Sequence, residues 1–332
     1  PMSCSAVPPP AAETSEFALI RRHFTRPTQP QRQGVILGVG DDAAILQPTA
    51  GQDCVVSTDM LVAGRHFFAD TDPRRLGHKT LAVNLSDIAA MGGMPRWVTL
   101  AAALPSLDEA WVAAFAEGLF ALADQHAVQV VGGDTTRGPL TLCVHIMGEV
   151  PTGQALRRDG AQQGDDIWVS GALGLAAAAL AHLQHRAVLP ATVLADCQHR
   201  LEAPTPRLSL GVALRGLATA AIDVSDGLLA DLGHIAARSQ LAAEVEAASL
   251  PTHPYLAAQR GQWLSAIAAG GDDYELCFTA PVSARSTLLA LMTPLGLPLT
   301  RIGRMVAGHG VSLLDATGHP LTLAYHGYDH FA

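Results

Sequence analysis

Aspartate recurs in this sequence where a carboxylate is costly, between small apolar residues and glycine. "GVGDDAAILQP" (38–48) carries Asp41 and Asp42, "STDM" (57–60) ends an apolar run on Asp59, and "NLSDIAAMGG" (84–93) sets Asp87 inside helix-like sequence. "VVGGDTTRG" (130–138) holds Asp134, "AIDVSDGLLADLG" (221–233) holds Asp223 and Asp226, and "GGDDYELCF" (270–278) holds Asp272 and Asp273. Aspartate is rarely buried unless it is paired or bound to a cation, so repeated insertion into such flanks predicts a divalent-ion site. Magnesium, which takes oxygen ligands and keeps part of its water, suits a few carboxylates acting together with substrate phosphates. Asp42, Asp59, Asp87, Asp134 and Asp223 are the candidates, although each by itself also fits a turn or helix-cap aspartate.

Other residues extend the same chemistry. "GVGDD" and "GGDTTRG" have the glycine content of loops whose N–H groups approach an anion, but neither Walker A nor G-x-G-x-x-G spacing occurs. A P-loop nucleotidase and a Rossmann dehydrogenase are therefore disfavoured. Arg137 and Arg158 stand in glycine-containing polar stretches where a guanidinium could clamp phosphate, or simply be solvated. Ser225 lies beside Asp226 without a positioned histidine, and a helix cap explains it as well as a nucleophile does.

These residues need a scaffold, and the pattern supplies one. The spacing predicts a strand at 54–59 and a helix at 74–92 stopped by Gly92 and Gly93, on which Lys79, Val83 and Asp87 share a face. A strand at 96–105 follows, then a capping box at Ser106 and Glu109 opening a helix through Trp111, Phe115, Leu119 and Leu122. Strands are expected at 127–134, turning at the glycines, and at 140–151; 151–166 reads as a boundary. Beyond it come a strand at 167–171, helices at 174–186 and 206–220, a strand at 221–224, a helix that Ser225 or Asp226 could cap, and strands at 274–281 and 310–315. The class is α/β in two domains: an N-terminal tail (1–15) without structure, a domain over 16–150 and another over 151–332.

Composition bounds the partners. The 332 residues carry a formal net charge of -9 and are 49% hydrophobic, which predicts a folded protein without the footprint for nucleic acid or an anionic membrane. The longest apolar run, 173–183, is too short for a bilayer and is broken by His182. Five cysteines without C-x-x-C spacing suggest reduced thiols in a cytoplasmic protein.

Seven blocks, namely "GVGDDAAIL", "STDMLVAGRHF", "KTLAVNLSDIAAMGGMP", "GGDTTRGPL", "AIDVSDGLLADLGHIA", "GGDDYELCF" and "GYDHF", resemble the thiamine-monophosphate kinase family in the same order over nearly the whole chain. The resemblance implies the two-domain aminoimidazole ribonucleotide synthetase-like fold, with mixed sheets packed against helices, a homodimer, and ATP bound in the N-terminal domain. It implies phosphorylation of thiamine monophosphate to thiamine diphosphate by direct transfer, assisted by several magnesium ions. It assigns Asp42, Ser57, Thr58, Asp59, Asp87, Asp134, Asp223 and Asp226 to metal, and Gly133, Asp134, Arg158 and Ser225 to ATP. His66, Asp272 and Tyr328 fall to the second substrate, and no general base is expected. The family usually reads G-G-E-D-Y-E-L, so Asp272 stands one methylene short of the usual glutamate. The alternatives are a sister ATP-dependent synthetase or dehydratase, and a non-catalytic magnesium-nucleotide-binding protein.

Overall fold

A computed structural model describes residues 20–25 and 34–323. Strands β1 (Val35–Leu37) and β2 (Ile45–Leu46) pair antiparallel and hold the loop with Asp41 and Asp42 between them. A four-stranded sheet follows in the order β3-β6-β4-β5, built from β3 (Gln52–Val62), β4 (Met94–Leu104), β5 (Gln129–Arg137) and β6 (Thr141–Pro151). Only β4 and β5 run parallel. Side chains alternate along β3: Leu61 is buried, while Val56 and Met60, on the opposite face, are 51% and 56% exposed.

Helices α1 (Pro73–Ala90) and α2 (Glu109–Gln125) connect these strands and pack on each other. Asp72 caps α1 by accepting from the Arg75 N–H at 3.0 Å, and Gly92 at φ +66° ends the turn beyond it. The two helices meet where a side chain has no room, since a Cβ on Gly118 would lie 1.8 Å from the Arg74 carbonyl oxygen. Asp108 caps α2, accepting from Ala110 and Trp111 N–H groups at 3.0 and 3.1 Å, so the expected capping box at Ser106 does not form.

The second sheet has the order β12-β9-β11-β7-β10-β8. Its strands are β7 (Asp166–Ser170), β8 (Ala220–Asp223), β9 (Ala242–Glu246), β10 (Leu276–Ala280), β11 (Leu299–Val306) and β12 (Gly310–Leu314). Its helices are α3 (Leu175–Leu183), α4 (Ala191–Glu202), α5 (Leu208–Ala213), α6 (Leu228–Arg238), α7 (Pro254–Ala258), α8 (Arg260–Ala269) and α9 (Arg285–Leu295). The helix expected over 206–220 is cut to α5, because the chain turns at Gly216 with φ +71° to enter β8.

β7 and β10 are buried on both faces, and this joins the two layers. Trp168 and Phe278 pack into the same apolar core as Leu81, Leu85, Phe115 and Ile146, whereas Ile167, Val169 and Cys277 face a second core under α3, α6 and α8. The N-terminal half of the molecule thus contributes α1 as a helix sandwiched between the sheet bearing β3 and strand β8. Among the described residues no helix is long and apolar enough to cross a membrane.

Candidate functional site

The sandwiching of α1 decides the site. β3 presents Ser57 and Asp59 on its α1 face, α1 presents Ser86 and Asp87, and β8 ends on Asp223. The Ser57 hydroxyl donates to Asp87 Oδ2, the Ser86 hydroxyl donates to Asp223 Oδ2 at 2.7 Å, and the Asp59 N–H donates to Asn84 Oδ1 at 3.1 Å. Three segments distant in sequence therefore meet along one helix.

The electrostatics are those of crowded like charges. Burial, followed by the neighbouring Asp87 and Asp226, pushes the Asp59 carboxyl up to about 7. Burial also raises Asp87, although the Ser57 hydroxyl and the nearby Arg158 guanidinium oppose the rise. Asp223, 4% exposed, is held well above the ordinary range by burial and by the charge of Asp87. Oxygen-only donors that repel one another fit a hard divalent cation such as magnesium, which would relieve both burdens. Among the described residues no three His, Cys, Asp or Glu side chains form a ready-made cage, so such an ion would complete its shell with water and phosphate oxygens.

The loop carrying Ser225 and Asp226 is held from inside the following helix. Asp231 Oδ2 accepts from the N–H groups of Ser225, Asp226 and Gly227 at 2.9, 3.0 and 3.2 Å. Gly227 is the N-cap of α6, and neither Ser225 nor Asp226 caps it with a side chain, contrary to expectation. A carboxylate in the first turn of α6 already does that work, with favourable dipole geometry, and this position was the available sequence signal. Burial and Asp226 push Asp231 up to about 7 against these three hydrogen bonds.

His66 and Asp272 line a cavity of about 80 Å³ together with Arg65, Phe68 and Gln184. Lys79 of α1, 3% exposed, donates to Asp272 Oδ2 at 3.0 Å and to the His66 carbonyl at 3.3 Å. Tyr274 donates its hydroxyl to Asp272 Oδ1 at 2.9 Å. The sequence placed Lys79 on the Asp87 face of α1 but assigned it no role, and it did not single out Tyr274. Asp272 and Tyr274 both have left-handed backbones, φ +66° and +50°, and their N–H groups donate to the Ser225 and Val224 carbonyls, each at 2.8 Å. Asp273 points away and accepts from the Gly174 N–H at 3.0 and 2.9 Å, which makes it a structural carboxylate.

Asp42 and Asp134 stand apart from the Asp59 group. Both are exposed and line a cavity of about 430 Å³ whose apolar wall includes Trp111 and Phe115. Asp134 does not follow a turn, because β5 continues through it to Arg137. Gly133 is required there by packing, since a Cβ would sit 2.0 Å from the Leu100 carbonyl oxygen. Thr58 faces away from Asp87, pairing with His145 Nδ1 at 2.6 Å on the exposed side of the sheet. Arg137 and Arg158 are exposed, and Arg158 lies close enough to act on Asp87. Tyr328 lies outside the described residues.

Comparison with known proteins follows this geometry. Residues 40–150 match the AIR synthase related protein N-terminal domain, and residues 162–315 match the corresponding C-terminal domain. The thiamine-monophosphate kinase of Escherichia coli (strain K12) is 48% identical over 322 residues, 96% of this chain and 98% of that protein. That of Bacillus subtilis (strain 168) is 35% identical, covering 95% of this chain and 99% of its own. Among solved structures, thiamine-monophosphate kinase from Stenotrophomonas maltophilia K279a superposes with TM-score 0.83 at 54% identity, covering 90% of this chain and 96% of that one. AaThiL complexed with AMPPCP and TMP superposes with TM-score 0.75 at 29% identity, covering 96% and 98%. With both domain types present, in order, and kinship running along nearly its full length, the chain belongs to the thiamine-monophosphate kinase family.

Proposed function

We propose that this chain moves the γ-phosphoryl group of ATP onto the phosphate of thiamine monophosphate, giving thiamine diphosphate and ADP. The observation that carries the reading is the convergence of Ser57, Asp59, Asp87, Asp223 and the Asp226 loop on the α1 face, in a chain akin over nearly its full length to kinases of that name. The acceptor is a phosphate oxygen, already ionised near neutral pH, so transfer requires no general base. The obstacle is bringing two polyanions together, and catalysis consists of positioning and charge neutralisation. Asp59, Asp87, Asp223 and Asp226 would hold magnesium, with Ser57 orienting Asp87, and Asp42 and Asp134 would hold further magnesium that meets the phosphates from the larger cavity. When bound, magnesium supplies positive charge at the phosphoryl oxygens and a template for their alignment.

Arg158, beside Asp87, would contact the nucleotide, and Gly133 and Ser225 would approach it through the backbone. The 430 Å³ cavity has the size and the aromatic wall for the nucleotide base. His66 and Asp272 would face thiamine monophosphate, joined by Tyr328. Thr58, on the other face of β3, would reach an ion only through a second copy of the sheet or through rearrangement. The exposed Val56, Met60 and Met94 on that sheet support a homodimer formed through it. We place the division between domains at residue 150, and the reading suits a cytoplasmic enzyme.

An assay coupling ADP release to thiamine monophosphate, with thiamine as the control acceptor, tests the function. Equal amounts of ADP and thiamine diphosphate are expected. ATP consumption yielding inorganic phosphate without thiamine diphosphate would point to a sister synthetase, and nucleotide binding without turnover to a non-catalytic protein.

A further inference from the structure

Lys79 is a buried cation that none of the assigned roles uses. A lysine side chain with 3% exposure is costly unless its ammonium is fully engaged. Here it joins two segments from opposite halves of the chain. One is the tight turn after β3, closed by the Val62 N–H on His66 Nδ1 at 3.0 Å and the Gly64 N–H on the Phe67 carbonyl at 2.8 Å. The other is the 272–274 segment, pinned to the end of β8 through Ser225 and Val224. Each has one group on Lys79, the His66 carbonyl and Asp272 Oδ2.

The remaining Asp272 oxygen accepts from the buried Tyr274 hydroxyl, so both carboxylate oxygens are oriented by donors from behind. The Asp272 side chain nevertheless keeps 30% of its surface open. A carboxylate on a left-handed residue, one methylene shorter than glutamate, has little freedom to find its own orientation. Its direction is imposed by these two donors.

We propose that Lys79 is a positioning residue for the second substrate: it fixes the Asp272 carboxylate and the His66 turn relative to one another, so that the small cavity between them, about 80 Å³, is held ready for one end of thiamine monophosphate. The proposal rests on the reading that His66 and Asp272 face that substrate. Lys79 borders the same cavity with only 3% of its surface exposed, and both hydrogen bonds of its ammonium go to the two groups it orients, so it acts mainly through them. Losing the cation would leave the Asp272 carboxylate to swing and the turn unanchored. The damage would fall chiefly on this substrate, since the cavity assigned to the nucleotide is lined mainly by β4, β5, α2 and the 39–44 loop, none of which Lys79 bonds.

The test is a double-mutant cycle of Lys79→Met and Asp272→Asn, read by calorimetric titration of thiamine monophosphate and by KM for each substrate. Lys79→Met is expected to weaken thiamine monophosphate binding by about tenfold or more while KM for ATP stays within about twofold. In the Asp272→Asn background the same change should add less than about twofold, because the group through which Lys79 acts has already been altered. If Lys79→Met fails to fold, comparing the double variant with Asp272→Asn still measures that last quantity, since the stranded carboxylate is then absent. Additive effects, an equal rise in both KM values, or unchanged thiamine monophosphate binding in Lys79→Met would each overturn the inference. If Asp272→Asn weakens binding and Lys79→Met does not, only the role of Lys79 falls. If Asp272→Asn changes nothing, the substrate reading of this cavity falls with it.

Discussion

Replacing Asp59 by asparagine should move stability and activity in opposite directions. Burial beside Asp87 and Asp226 raises the Asp59 carboxyl from 3.8 to about 7 in the folded chain. A rise of that size corresponds to about 4 kcal/mol against the ionised form, and solvent screening at a partly buried site reduces it to about 2 kcal/mol. Between about pH 4 and 7 the folded chain keeps a proton on Asp59 that the unfolded chain has released. Stability therefore falls as pH rises through that window, and the whole cost is felt above it. Asparagine has the same shape and no charge, so in magnesium-free buffer Asp59→Asn should melt about 5 °C higher than wild type at pH 8 and no higher at pH 4. Its kcat with saturating magnesium should fall by at least about a hundredfold, as on loss of one charge-stabilising element. Thermal melts at the two pH values and an ADP-release assay measure both. A variant that is less stable than wild type at pH 8, or equally stabilised at both pH values, would refute the electrostatic argument; near-normal turnover would refute the metal assignment.

Asp231→Ala strips the acceptor from three backbone N–H groups, and should cost about 2 kcal/mol in chemical denaturation and lower kcat/KM about tenfold by loosening the Asp226 loop. Asp166, 2% exposed at its side chain between Arg285 and Arg301, is held below the usual carboxylate range, chiefly by its hydrogen bonds to Arg285. The stability it contributes is present above pH 4 and lost as pH falls through its lowered value, so Asp166→Asn should flatten the acid limb of the stability curve and cost about 2 kcal/mol at pH 7. Gly133→Ala drives a methyl to 2.0 Å from the Leu100 carbonyl oxygen, and should cost about 2 kcal/mol or more and raise KM for ATP more than KM for thiamine monophosphate.

Several features could be read before any folding was considered. The strand expected over 54–59, which the fold carries through Asp59 to Val62, the long helix stopped at Gly92 and Gly93, and the strand at 140–151 follow from periodicity and from glycine's access to left-handed backbone. The acidic residues announced themselves for the same reason, a charge being an anomaly inside an apolar pattern. Other features were missed or had no local signal. The helix over 191–202 carries Val193, Cys197 and Leu201 at a spacing of four, a signal that was passed over, whereas the strand over 299–306 has no clean alternation and is stabilised by packing against β7. The chain reversal at Gly216 shortened a helix whose pattern continued.

What the order of residues determined alone was the kind of chemistry, because residue type sets charge, donor set and the cost of burial. Its resemblance to a family determined the reaction as well. What only the tertiary structure decided was the company each group keeps. Packing α1 between β3 and β8 brings Asp59, Asp87 and Asp223 together, while Asp42 and Asp134 are carried to a separate cavity. Asp231 and Lys79 gain their roles in the same way, from backbone N–H groups and a carboxylate presented across the fold. Such roles come from contacts between segments whose spacing along the chain carries no information about their distance in space.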